Sequence, residues 1–289
     1  MARHPVEEAL SPAGGWAVVL GASEGTGAAV ARAVSRQGLD VFGVHRGRHP
    51  AQARALEAEL LARGRRVVMR VADAGSAEAA ASGVEALLAA AGPRSVRLFV
   101  HSLASASLGR LAAGGAEVLS PRQIQKTFDV MAHSFVYWTQ ELLARDMLAP
   151  SARLLGLGNT LSESLILNCG LIAAAKAALE TYVRCLALEL GPQGYRVNLL
   201  KFPTVNTHAV RKVYGEEAMD HVERVHRRMI PAGRMCTVEE VARVVAFLAS
   251  DAGEWFNGAT IDYTGGMTLG LADILIRDDG SARAEEAGR

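Results

Sequence analysis

The sequence predicts an α/β fold: a doubly wound sheet of seven mainly parallel strands flanked by helices, with a helical lid insertion late in the chain. Two observations predict it. Short, β-branched and almost wholly apolar runs recur along the chain, and longer helix-compatible stretches separate them. Strands apolar on every residue are buried on both faces, which a parallel sheet achieves by covering each face with helices. A glycine-rich turn directly after the first run is the third observation.

In order, WAVVL (16–20), VFGV (41–44), VVMRV (67–71), LFVH (98–101), RLLGL (153–157), RVNLLK (196–201) and ATIDY (259–263) read as strands. Helices are expected over 25–37, 51–63, 76–91, 120–147, 162–191 and 237–250. Such alternation folds through right-handed crossovers. No repeat or linker interrupts it, so residues 1–289 read as one domain. Residues 204–235 form a charged, helix-capable insertion after the sixth strand. In an open α/β sheet that position lies beyond the carboxyl ends of the strands, where ligands bind, so the insertion reads as a lid. The polar ending, 278–289, reads as a frayed tail.

Composition narrows the function. Half of the 289 residues are apolar, and the net charge of +1 provides no field for gripping nucleic acid or an anionic membrane. No apolar run approaches the ~18 residues that span a bilayer. The opening MARHPVEEALSPAGG lacks the apolar stretch of a secretory signal, so a cytoplasmic protein is expected. Three scattered cysteines (Cys169, Cys185, Cys236) with no CxxC pair argue against a disulfide framework and against a metal site. Four lysines against 27 arginines, in an alanine-rich chain, suggest a GC-rich bacterial genome. A lysine in a catalytic context is then informative.

After the first strand comes Gly21-Ala22-Ser23-Glu24-Gly25-Thr26-Gly27, leading into a helix. Glycines at this spacing permit a tight turn and close approach of a pyrophosphate. The helix N-terminus adds free N–H groups and a favourable dipole. The fold expectation is therefore Rossmann-type, with Ser23 and Thr26 beside the phosphates. The second strand runs out as Val44-His45-Arg46-Gly47-Arg48, with two guanidiniums and no acid. A carboxylate there would hold a ribose 2′-OH, whereas arginines suit a 2′-phosphate. NADPH is expected over NADH. Glu24, in the turn facing that ribose, argues the other way.

These residues, over roughly 14–270, resemble the short-chain dehydrogenase/reductase family. The resemblance implies that Asp73 in VADA holds the adenine. It also implies that Pro203, Val205 and Thr207 in FPTVNT close over nicotinamide and pyrophosphate. Lys176 in AAAKAALETYVRCLALEL stands in the place of the family's active-site lysine. VHSLASASLGRL (100–111) and HSFVYWTQ (133–140) are similar to the enoyl-acyl-carrier-protein reductase branch. The resemblance implies dimers or tetramers formed through residues 120–147 and 162–191.

The family's catalytic pattern is incomplete. Its members place a tyrosine four residues before the lysine, or seven before in enoyl reductases; here those positions are Ile172 and Cys169. A thiol is a weak hydrogen-bond donor, and free cysteines are most often packing residues. The family's serine position falls at Gly158-Asn159-Thr160, and its helix asparagine is absent near Asp129-Val130-Met131. Lys176 remains, with Ser102 close to the expected nicotinamide and able to orient a carbonyl.

Three readings follow. The first is a ketoreductase whose substrate supplies the proton, through a phenol hydrogen-bonded to its own carbonyl. Aromatic polyketides such as angucyclinones carry such groups, and the chain looks like a tailoring ketoreductase of antibiotic biosynthesis. The second is an enoyl-thioester reductase, and the third a non-catalytic NADP(H)-binding protein. His133 and Tyr137 read as packing. His208, Tyr214, His221, His226, Met229 and Met235 read as lid surface or pocket lining.

Overall fold

A computed structural model describes residues 14–113, 118–162 and 165–269. Its centre is one seven-stranded sheet in the order β3-β2-β1-β4-β5-β6-β7, with every pairing parallel. The strands are β1 (Trp16–Leu20), β2 (Asp40–His45), β3 (Val67–Val71), β4 (Val96–His101), β5 (Leu148–Asn159), β6 (Arg196–Phe202) and β7 (Thr260–Asp262). The tail expected at 278–289 lies outside the described residues.

Side-chain alternation along the strands divides the core into two layers. Trp16, Val18 and Leu20 of β1 join Phe99, Leu154 and Val197 on one face. There they meet α3 (Ala77–Ala91), α5 (Ser134–Ala144) and α6 (Gly170–Leu190). Ala17 and Val19 join Leu98, Val100, Leu155 and Leu200 on the other face, under α1 (Gly25–Arg36), α2 (Pro50–Ala62) and α9 (Val238–Ala249). Both faces are covered, as the uninterrupted apolar runs predict. The chain leaves β3 on one flank of β1 and enters β4 on the other. That switch opens a crevice beyond the carboxyl ends of β1 and β4.

Two expected helices are interrupted. The stretch read as 120–147 divides into α4 (Pro121–Phe128), a π-helical turn at Asp129–His133, and α5, which ends at Ala144. The buried Ser134 explains the break: its hydroxyl donates to the Val130 carbonyl at 2.9 Å and lies 2.8 Å from His101 Nε2 at the end of β4. Helix α6 begins at Gly170 rather than 162. Asn159 first closes a short turn by accepting from the Leu161 amide at 3.1 Å, and Asn168 is left-handed at φ 68°. β5 begins at Leu148, earlier than the expected 153. Its register shifts between Leu148 and Arg153, where Ser151 sits at φ 59°.

The insertion after β6 folds as α7 (His208–Tyr214) and α8 (Met219–Met229), joined by a one-turn 3₁₀ segment. Thr207 caps α7 by accepting from the Val210 amide at 3.4 Å. Among the described residues, no helix is long and apolar enough to cross a membrane.

Candidate active site

The crevice and the insertion together enclose a cavity of about 1210 Å³. Every residue singled out above for a site role lines it: Gly21, Ser23, Gly25, Thr26, Gly27, Arg46, Arg48, Asp73, Ser102, Lys176, Pro203, Val205 and Thr207. They come from six separate stretches of chain, brought together at the carboxyl ends of the strands.

At one end the turn between β1 and α1 is pinned to β2, with the Gly21 and Ala22 amides both donating to Val44 O at 2.8 and 3.2 Å. Gly21 has φ +85°, and a Cβ there would strike the Ser102 carbonyl. A Cβ on Gly27 would strike the carbonyl of Gly21 itself. The turn is thus as tight as a glycine backbone allows. No side chain caps α1, so its first N–H groups stay free for an anion. This cradle fits a dinucleotide pyrophosphate.

Arg46 is partly buried beside Arg48, and burial first, then the neighbouring guanidinium, lowers its pKa; Asp73 offsets part of this. Two cations held together in this way favour a doubly charged anion. Glu24, which the sequence set against a 2′-phosphate, is engaged elsewhere: His49 Nε2 lies 3.1 Å from its carboxylate. The His49 ring in turn meets the lid residue His208 edge-on, with ring centroids 5.0 Å apart.

Asp73 accepts from the Gly75 amide at 3.2 Å and pairs with Lys126 of α4. Burial alone would raise its pKa; the Lys126 and Gly75 hydrogen bonds outweigh this and hold the carboxyl below its ordinary value. Sequence reading missed Lys126, whose only signal was the scarcity of lysine. Glu24 and Asp73 are the only carboxylates lining the cavity among the described residues, and each faces a basic side chain.

At the other end stands Lys176 of α6. It is buried, and its Nζ donates to Leu157 O at 2.6 Å and to Leu103 O at 3.4 Å. Burial lowers its pKa to about 8. His101, fully buried at the end of β4, is pushed to about 3, by burial first and by the Lys176 charge second. His101 is therefore a neutral, structural imidazole. The cavity that Lys176 lines has many apolar side chains in its walls, Met131, Leu161, Ile172, Val210, Val213 and Val222 among them. The lid residues His208, Tyr214, His221, His226 and Met229 face the cavity, whereas Met235 does not.

The chain matches the family described as enoyl-(acyl carrier protein) reductase over residues 21–268. It belongs to the short-chain dehydrogenase/reductases. Versicolorin reductase 1 of Aspergillus parasiticus is 29% identical over 86% of this chain and 95% of its own. A dehydrogenase/reductase from Sinorhizobium meliloti 1021 superposes with a TM-score of 0.79 at 25% identity, covering 91% of this chain and 98% of that one. A short-chain dehydrogenase from Burkholderia cenocepacia J2315, solved in complex with NADP, gives 0.74 at 26% identity, covering 88% and 98%. A chain of this family is an NAD(P)H-dependent oxidoreductase, in keeping with the cradle and the buried lysine.

The positions four and seven residues before Lys176 are Ile172 and Cys169. Ile172 lines the cavity. Cys169 does not line it; the side chain is buried among Val130, Met131, Ile172 and Ala175, and burial raises its pKa. A neutral, packed thiol is no acid. Replacing Cys169 with serine is expected to leave kcat within about twofold and to cost roughly 1–2 kcal/mol of stability through the buried hydroxyl. A collapse of kcat with cofactor binding intact would contradict this.

Proposed function

We propose that this reductase uses NADPH to reduce a carbonyl group of an aromatic polyketide, as a tailoring step in antibiotic biosynthesis. The observation that carries the reading is the composition of the cavity. A phosphate cradle with two arginines shares one lid-covered cavity with a buried lysine and many apolar side chains, and among the described residues its two carboxylates, Glu24 and Asp73, each face a basic side chain. Such a chamber suits a large, flat, weakly charged substrate. The versicolorin reductases are named for reducing an aromatic polyketide, which supports the substrate class.

The shared cavity lining supports the cofactor roles that the motifs and the family resemblance imply. Gly21, Ser23, Gly25, Thr26 and Gly27 surround the pyrophosphate, Arg46 and Arg48 take the 2′-phosphate, and Asp73 holds the adenine. Pro203, Val205 and Thr207 cover the nicotinamide half. NADPH, when bound, supplies the hydride. The chain's part in the chemistry is to hold charge and position. Lys176 offers an ammonium from the floor of the chamber, and Ser102 orients the carbonyl. With Ile172 and Cys169 in the phenol positions, the proton for the new hydroxyl comes from a phenol of the substrate itself, hydrogen-bonded to the reacting carbonyl.

The enoyl-thioester alternative is favoured by the description of the matching family. One panel separates the two. NADPH oxidation is followed at 340 nm with peri-hydroxylated aromatic ketones, their phenol methyl ethers and a crotonyl thioester. Turnover of the free phenols with loss on methylation is expected. Turnover of the thioester alone would assign an enoyl reductase, and tight NADPH binding without turnover would assign a non-catalytic binding protein.

A further inference from the structure

Reduction of a carbonyl gathers negative charge on substrate oxygen, and a donor aimed at that oxygen speeds the step. Helix α6 offers none at Ile172 or Cys169, but the lid does. The chain has five tyrosines, and of these only Tyr214 lines the cavity. Tyr214 is the last residue of α7 and lies near enough to Cys169 for the two groups to interact electrostatically. Its neighbour Val213 packs against the cluster of Val130, Met131, Cys169, Ile172 and Ala175. The C-terminal end of α7 thus rests on the part of the wall from which a phenol is missing.

The hydroxyl has the right connections. Burial raises the Tyr214 pKa, only partly offset by the neighbouring Thr204 side chain, which also lines the cavity, so the phenol keeps its proton. A phenol has a single O–H, and on Tyr214 it can be offered to an acceptor in the cavity that the ring lines. The two carboxylates that line the cavity among the described residues, Glu24 and Asp73, are engaged by His49 and Lys126.

We propose that Tyr214 donates a hydrogen bond to the substrate oxygen that becomes negative during reduction, a lid-borne phenol standing in for a helix-borne one. The inference rests on the ketoreductase reading above. Tyr214 transfers no proton in it: it stabilises the oxygen while the substrate phenol supplies the hydrogen. Because the donor rides on the lid, the site is complete only when α7 lies against α6. Charge stabilisation and exclusion of water then arrive together.

Tyr214→Phe keeps the ring and removes the donor. With a peri-hydroxylated aromatic ketone, its kcat is expected to fall at least about 100-fold, in the range for loss of one oriented donor. The Kd for NADPH and the melting temperature should stay as in the wild type. Titration of the same ketone into cofactor-free protein, read by calorimetry, should show a Kd raised about fivefold, the weight of one neutral hydrogen bond. Unchanged kcat and unchanged ketone Kd would overturn the assignment. So would a parallel loss of melting temperature and NADPH binding, which would mark Tyr214 as packing. Wild-type protein inactive on every ketone would retire the ketoreductase reading instead; the calorimetric arm would then still decide whether Tyr214 touches the aromatic ligand.

Discussion

The double variant Arg46→Ala/Arg48→Ala is expected to bind NADPH at least about 100-fold more weakly, while the Kd for NADH moves less than about threefold. A charge-assisted hydrogen bond contributes ~1.5–3 kcal/mol, so removing two of them from one phosphate reaches this range. The structure adds a reason for so large an effect. Arg46 is already disfavoured as a cation by burial and by Arg48, and Asp73 returns only part of that loss. A dianion at the 2′ position would relieve both guanidiniums at once. His49 keeps the Glu24 carboxylate engaged, so the one acid in the turn need not repel the phosphate. Fluorescence titration with each cofactor tests this at two salt concentrations. The NADPH advantage should shrink as salt rises, because these side chains are partly exposed. Equal losses for the two cofactors would overturn the 2′-phosphate assignment.

What could be read along the chain was whatever local chemistry determines. β1 and β3 match their expected ranges, 16–20 and 67–71, because each is a short run bounded by turn residues. The glycine turn was equally legible from its spacing, although only the steric demand at Gly27 is local, set by the Gly21 carbonyl, whereas that at Gly21 comes from Ser102. The errors fall where distant groups decide. Nothing in residues 120–147 announces a π-helical turn, because its cause is the buried His101–Ser134 contact across 33 positions. The Asp73–Lys126 pair joins residues 53 apart. The early start of β5 depends on a bulge around the left-handed Ser151, a residue with no glycine to mark it. The candidate site divides in the same way. Single residues could be named from motifs, but the sequence placed Tyr214 only loosely among lid residues. Its nearness to Cys169 comes from how the end of α7 packs, through Val213, on the cluster around Cys169 and Ile172.

Lys176→Met is expected to produce the other large effect, and to do so in opposite directions for activity and stability. In the wild type the Nζ is buried and held by the Leu157 and Leu103 carbonyls, and burial lowers its pKa from 10.5 to about 8. A lysine disfavoured as a cation in the native state binds fewer protons there than in the unfolded chain. Its burden on folding is fully present below pH 8, diminishes as pH rises from about 8 to 10.5, and is gone above that. The burden is at most roughly 3 kcal/mol, at about 1.4 kcal/mol per pH unit. Methionine has a similar length and no charge, so the variant should be the more stable protein at pH 7. Its advantage should shrink by pH 10, as denaturant titrations at the two values would show. Activity should go the other way. Loss of the ammonium from the chamber floor is expected to lower kcat/KM for NADPH-dependent reduction about 100-fold or more at pH 7. In the wild type the rate should fall as pH passes about 8 and Lys176 loses its proton. His101 titrates near 3 and the Cys169 thiol is raised by burial, so neither neighbour supplies that inflection. The variant should therefore lack it, and a variant that keeps both the inflection and the rate would remove Lys176 from the chemistry.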